Sequence, residues 1–305
     1  MTKATIKKSK VTALEKLVEQ QLSQSSKLFL EEITSQKANS TSFILNRHTE
    51  ANINISPFLL GSVGAQTYFH EDGELATALA AKNQGVPFIV SSHSSYSIED
   101  IADAVPGCEL WFQAHLFHDR DLTKHFIQRA ELAGYQAIVV SLSNDVIHQT
   151  ADTEARGTTN FVVDPIFAKK NHRNKQSIAE QVANEYQNRH VTWNDLAYIK
   201  QFTNLPVFIY GDLSIDDVRI ALQQQVEGII LTNISYDNID LLERVKTVVG
   251  DNLSIIIETE VTTKEALDQY LHVGADAVSV QRSYIHGLSI SGVSGVEGVI
   301  AQLFT

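Results

Sequence analysis

Apolar residues gather in eight short runs, 57–62, 87–92, 109–115, 137–142, 206–211, 228–233, 254–259 and 277–282. Runs of this length, rich in Val, Ile and Phe, are the size of buried strands, whereas apolar positions recurring three and four apart mark helices with one buried face. The second pattern predicts helices over 74–84, 98–104, 122–133, 215–224, 239–248 and 264–272, with Gly85 and Gly274 as C-terminal stops. Strands alternating with helices, without hairpin signals, must lie parallel, and eight of them close into an α/β fold, the TIM (β/α)8 barrel. In that architecture the C-terminal ends of the strands carry the chemistry, so those ends are where function is to be sought.

Two segments lie outside this rhythm. Val11, Leu14, Leu17, Val18 and Leu22 follow helical spacing and predict an N-terminal helical extension packed on the barrel, joined to it by the polar stretch 37–54. The expected division is therefore 1–54 for extension and connector, and 55–305 for the barrel. Within the barrel, the connection after strand four is long, 144–204, and contains a basic run, 169–175, and helix-like stretches over 178–186 and 193–202. A connection this long is expected to act as a lid over the mouth, with the basic run as its solvated face or, as the alternative, a site that captures a small anionic ligand.

Composition narrows the function classes. The 305 residues carry a formal net charge of -12, which repels polyanions and argues against a nucleic-acid or anionic-membrane surface. No apolar run reaches membrane-spanning length, and the basic start MTKATIKKSK lacks the apolar segment of a signal peptide, so a cytoplasmic location is expected. The single cysteine, Cys108, cannot form an intrachain disulfide and has no zinc-ligand set nearby in sequence; it reads as a packed side chain.

Candidate chemistry is sparse. His115, His118 and Asp119 form a cluster, but on an extended strand end the two imidazoles point to opposite faces, so no shared metal is expected. Glu258 and Glu260, two apart, share a face if the strand continues, and would then be paired carboxylates with a raised pKa or ligands for a hard cation. Asp216 and Asp217 open a helix, where acids suit the dipole. Ser91 and Ser141 have no recognisable Ser/His/Asp arrangement around them. The glycines of GVSGVEG, 292–298, lack the strand and acidic residue of a dinucleotide site and read as the last loop and helix start.

The strings HEDGELATALAAKNQG, VSSHSSYSIEDIADAVPG, LWFQAHLFHDRD, RAELAGYQAIVVSLS, TWNDLAYIKQFTNLPVFIYG and GADAVSVQRSYIHGLSISGVSGV, in this order, resemble the FMN-dependent 2-hydroxy acid dehydrogenases and oxidases, the lactate and glycolate oxidase family. The resemblance covers most of the chain, with a weaker echo in QKANSTSF. It implies a barrel holding FMN across its mouth, a histidine base, arginines for the substrate carboxylate, and a homo-oligomer. It further implies that Ser91, Gln113 and Ser141 are polar contacts to the flavin and that Arg282 is the phosphate-binding arginine.

Other positions depart from the family pattern. Tyr210 replaces the lysine that stabilises reduced flavin, Ile234 the histidine base and Asp237 the substrate arginine. His115 stands for a tyrosine, and His148, Gln149 and Thr150 stand where a Gly-x-Arg is expected; Arg156 substitutes only if the loop is threaded differently. Isoleucine accepts no proton, and loss of a positioned base typically removes about 10² to 10⁴ in rate. The phosphate glycines give way to the 258–262 segment and Gln281. A glutamate about 4 Å from one phosphate charge costs on the order of 4 kcal/mol at an effective dielectric of 20. The expectation is a catalytically inactive relative, with weak or lost FMN binding, that serves as a binding, regulatory or partner subunit, alone or beside an active paralogue. The alternatives are an active flavoenzyme whose base is His93, His115 or His148, and an unrelated chemistry using Glu258 and Glu260.

Overall fold

The computed structural model describes residues 56–142, 156–171, 175–185, 191–234 and 238–304. Eight parallel strands, β1 Phe58–Leu60, β2 Phe88–Ser91, β3 Leu110–Ala114, β4 Ala137–Ser141, β5 Val207–Gly211, β6 Gly228–Leu231, β7 Ser254–Glu258 and β8 Ala277–Val280, close into a barrel in sequence order. All the expected runs form strands, each trimmed by a residue or more, and Arg282 opens a helix instead of ending a strand. The N-terminal extension lies outside the described residues.

Alternation along each strand divides the apolar side chains into two sets. Leu59, Ile89, Trp111, Ala137, Val139, Phe208, Ile230, Ile256 and Ala277 fill the barrel interior, where Trp111 and Phe208 stack with ring centroids 4.6 Å apart. The residues between them pack outward against the helices in one larger cluster. Register then fixes the layer above the inner core: Ser91 lies beside Gln113, Ser141 beside Tyr210 and Glu258 beside Ser279.

Outside the strands run α1 Gly73–Gln84, α2 Ile98–Ala104, α3 Arg120–Leu132, α4 Thr159–Val162, α5 Pro165–Asn171, α6 Ile178–Asn184, α7 Trp193–Ile199, α8 Ile215–Gln223, α9 Asp240–Val249, α10 Lys264–Val273 and α11 Arg282–Phe304. Asp217, expected to suit a helix start, completes a capping box with Ser214. Within α5, Lys169 and Lys170 are exposed, as a solvated face requires, and Lys170 also pairs with the buried Glu185 at 2.5 Å. Helix α11 is broken at Ser291 and Gly292, and a Cβ at Gly295 would collide with the Gly287 carbonyl. Of the glycines of GVSGVEG, Gly292 thus serves a bend and Gly295 a close crossing. Among the described residues no helix is long and apolar enough to cross a membrane.

Candidate functional site at the barrel mouth

Continuing the inward alternation by one step places Gly61, Ser91, Gln113, Ser141, Tyr210, Thr232, Glu258 and Ser279 around the mouth. The three residues expected to contact a flavin ring, Ser91, Gln113 and Ser141, therefore share one rim, and all three are buried. Ser91 Oγ accepts from the His93 amide at 3.1 Å, which ties the turn after β2.

Opposite them the rim is closed by its own hydrogen bonds. Tyr210 donates its hydroxyl to Glu258 Oε1, joining the ends of β5 and β7. Glu258 Oε2 accepts from Gln281 Nε2 at 2.8 Å, and that amide also reaches the Ser62 carbonyl at 2.9 Å. Burial pushes the Glu258 carboxyl up to about 8; the Tyr210 hydrogen bond opposes this shift and the neighbouring Glu260 adds to it. Close packing requires glycine at 61, because a Cβ there would strike Ser279 Oγ and lie 2.9 Å from Gln281 Cγ.

Glu260 goes elsewhere. Strand β7 ends at Glu258, so the two carboxylates do not form the shared pair expected of a continuing strand. Glu260 Oε1 accepts from the backbone amides of Gln281 at 3.1 Å and Arg282 at 2.6 Å. Its Oε2 accepts from the Ser283 amide at 3.0 Å and from the Ser283 hydroxyl. One side chain thus takes up three successive amides at the N-terminus of α11, a location that favours anions through its dipole and unpaired donors.

On the other side of the mouth, His93 and His115 pack edge to face at 5.3 Å. His115 Nδ1 bonds Ser92 Oγ at 2.8 Å, and His93 Nδ1 bonds the Gly157 carbonyl at 3.2 Å. Burial lowers His93 to about 4; burial together with His93 lowers His115 to about 3. A general base works best with a pKa near the operating pH, so neither imidazole is tuned for that role near neutrality. His148 lies outside the described residues.

The long connection is docked here. Asn160 Nδ2 donates to the Ser92 carbonyl and Ser94 Oγ, and Phe161 packs among His93, Phe117, Phe126 and Phe167. Arg129 anchors the same segment from α3, bonding the Asn160 carbonyl, Asp164 and, bidentately, Glu99. Arg156 donates to the Thr67 carbonyl and lies over the Tyr68 ring, so it is tied to the turn after β1. Ile234, in the expected place of the base, is buried in the apolar layer, and Asp237 falls outside the described residues.

Comparison with known proteins bears on what such a mouth is for. The sequence model described as FMN-dependent dehydrogenase matches residues 52–305. The chain belongs to the FMN-dependent dehydrogenase family. It is 30% identical over 284 residues to an L-lactate oxidase of Lysinibacillus sphaericus (strain C3-41), covering 86% of this chain and 73% of that one. To 2-hydroxyacid oxidase 2 of Rattus norvegicus it is 28% identical over 274 residues, covering 87% and 75%. Among solved structures, mandelate oxidase with (S)-4-hydroxymandelic acid superposes with a TM-score of 0.75 at 24% identity, covering 96% of this chain and 91% of that one, a likeness of fold.

Family membership implies FMN as the cofactor, and the residues present fit it only in part. Ser91, Gln113 and Ser141 offer polar groups on one rim, as a flavin ring requires. At the other end, barrels of this kind bind phosphate with the loops after strands seven and eight and a helix N-terminus. Here the amides at that place are already bonded to Glu260, and a phosphate would meet a carboxylate. The phosphate end does not fit. Sequence reasoning flagged Glu260 for its charge but missed its partners, since only the folded chain brings position 260 against 281–283.

Proposed function

We propose that this chain is a family member that no longer oxidises 2-hydroxy acids, holds FMN weakly or not at all, and serves as a binding or regulatory subunit, as a homo-oligomer or beside an active paralogue. The observation that carries the reading is the mouth itself. None of its eight inward positions, Gly61, Ser91, Gln113, Ser141, Tyr210, Thr232, Glu258 and Ser279, is basic, and Tyr210 is bonded to Glu258. Oxidising a 2-hydroxy acid calls for a group to take the hydroxyl proton and for cations to hold the carboxylate and a reduced flavin. Ile234 supplies no base, and burial, which disfavours their protonated forms, leaves His93 and His115 as weak bases and not as cations.

The test is to mix the purified chain with excess FMN under anaerobic conditions and add L-lactate, glycolate or mandelate. The flavin absorbance is expected to persist; rapid bleaching by any of these acids overturns the proposal. Size measurement, alone and with an active family member, tests the subunit role. One sharp species containing both chains supports the mixed assembly, and separate elution of the two removes it.

A further inference from the structure

We propose that Glu260 is an internal lock on the anion site of this barrel, a carboxylate carried by the chain itself in the place a phosphate monoester would take. The inference rests on the reading that the chain holds FMN weakly, and it names the residue responsible.

Three features of the contact support it. First, the donor set suits a tetrahedral anion: the Gln281, Arg282 and Ser283 amides and the Ser283 hydroxyl converge on the two Glu260 oxygens. Successive backbone N–H groups at a helix start form an anion cradle irrespective of which anion fills it. Second, Glu260 is held in place. The Thr259 amide bonds the Ser279 carbonyl at 2.9 Å, extending the β7–β8 pairing one residue, and Val261 is buried on the other side. The carboxylate is therefore presented by a fixed segment, and its ordering entropy is already spent in folding. Third, the neighbouring carboxyl is engaged separately: Glu258 bonds Tyr210 and Gln281 through side chains, so that of the two carboxyls it is Glu260 that accepts from the helix amides.

An intramolecular anion competes at high effective concentration, and it also repels the incoming one. Removing it should uncover an anion site that discriminates FMN from riboflavin, which lacks the phosphate.

The experiment compares wild type, Glu260→Ala and the near-isosteric Glu260→Gln in equilibrium binding of FMN and riboflavin. Thermal midpoints are followed with and without inorganic phosphate. Wild type should bind FMN no more tightly than riboflavin and show no specific shift with phosphate. Glu260→Ala should gain FMN affinity by about a hundredfold or more, the order expected for removing one like charge at contact distance, without a matching gain for riboflavin. Glu260→Gln should gain at least about tenfold on the same grounds. Phosphate should raise the melting temperature of both variants, and should restore folding to a variant that is unfolded without it. The lock is overturned if wild type prefers FMN over riboflavin by more than about tenfold. It is equally overturned if neither variant gains FMN affinity or responds to phosphate. Adding L-lactate to FMN-loaded Glu260→Ala separates the two ideas: bleaching there leaves the lock standing and removes the claim of lost chemistry, whereas unchanged flavin leaves both.

Discussion

The Tyr210 hydroxyl donates to Glu258 across the end of β6, so the C-terminal ends of β5 and β7 are joined over a strand that lies between them. This bond sits where a ligand of the mouth would sit, and the group it holds is a carboxyl that burial keeps protonated at neutral pH.

Glu258 should make the protein less stable as pH rises. Its folded value of about 8 exceeds the 4.5 of the free side chain, so across that interval the unfolded chain releases a proton the folded chain retains. The contribution is complete below about pH 4.5 and lost as pH climbs through about 8. Glu258→Gln should flatten this slope and, by urea denaturation at pH 8, be more stable than wild type by on the order of 2 kcal/mol, a figure discounted for water at the mouth. A variant with an unchanged slope contradicts the assignment.

Three histidines act in the opposite sense. Burial lowers His93 and His286 to about 4 and His115 to about 3, so below the ordinary value of 6.5 the unfolded chain gains protons the folded chain refuses. Their contribution is present above 6.5 and is lost as pH falls. Glu74, pushed up to about 7 by burial, adds to the alkaline decline from Glu258. Thermal midpoints recorded from pH 4 to 9 should therefore trace a dome with its maximum near about pH 6.5. A steady rise to pH 9 runs against this account.

The two glycines of the last helical segment should respond unequally to alanine. A Cβ at Gly295 strikes the Gly287 backbone, which cannot move aside as a flexible side chain would. A Cβ at Gly298 meets nothing within 4 Å. Gly295→Ala should cost about 2 kcal/mol or more through overpacking, while Gly298→Ala should be neutral or stabilise by up to about 1 kcal/mol through helix propensity. Paired denaturation curves decide the matter; equal effects would show that the crossing is not tight.

Arg129 should matter more than its partner Glu99. Removing the guanidinium leaves the fully buried Asp164 with His125 as its remaining ionisable partner, whereas removing the half-exposed Glu99 returns little charge to the interior. Arg129→Ala is expected to destabilise by about 3 kcal/mol and Glu99→Ala by roughly 1 kcal/mol, measured by urea denaturation. Limited proteolysis should then cut the connection between β4 and β5 faster in Arg129→Ala. Equal protection in both variants speaks against the anchoring role.

Much of the fold could be read from the letters because parallel strands buried on both faces are continuous apolar runs, and the helices between them keep one apolar side. Ser91, Gln113 and Ser141, singled out by the family resemblance, lie together on one rim of the mouth. Partnerships between distant segments were not legible. Lys170 is solvated as its charge suggests, but its pairing with Glu185 is hidden by the fifteen positions between them, and Phe161 is held by rings from elsewhere in the chain. Glu258 and Glu260 looked like a pair because the strand was assumed to continue; its end at Glu258 sends one carboxyl to Tyr210 and the other to the helix amides.

The Glu260 contact also bears on how the protein is maintained. A folded state that captures a soluble ligand gains stability with the concentration of that ligand, so the steady-state level of such a protein follows what the cell can provide. This chain completes the start of its C-terminal helix from its own residues. On the reading proposed above, the level of this protein should not follow the supply of vitamin B2, and its thermal midpoint should be unchanged by added FMN.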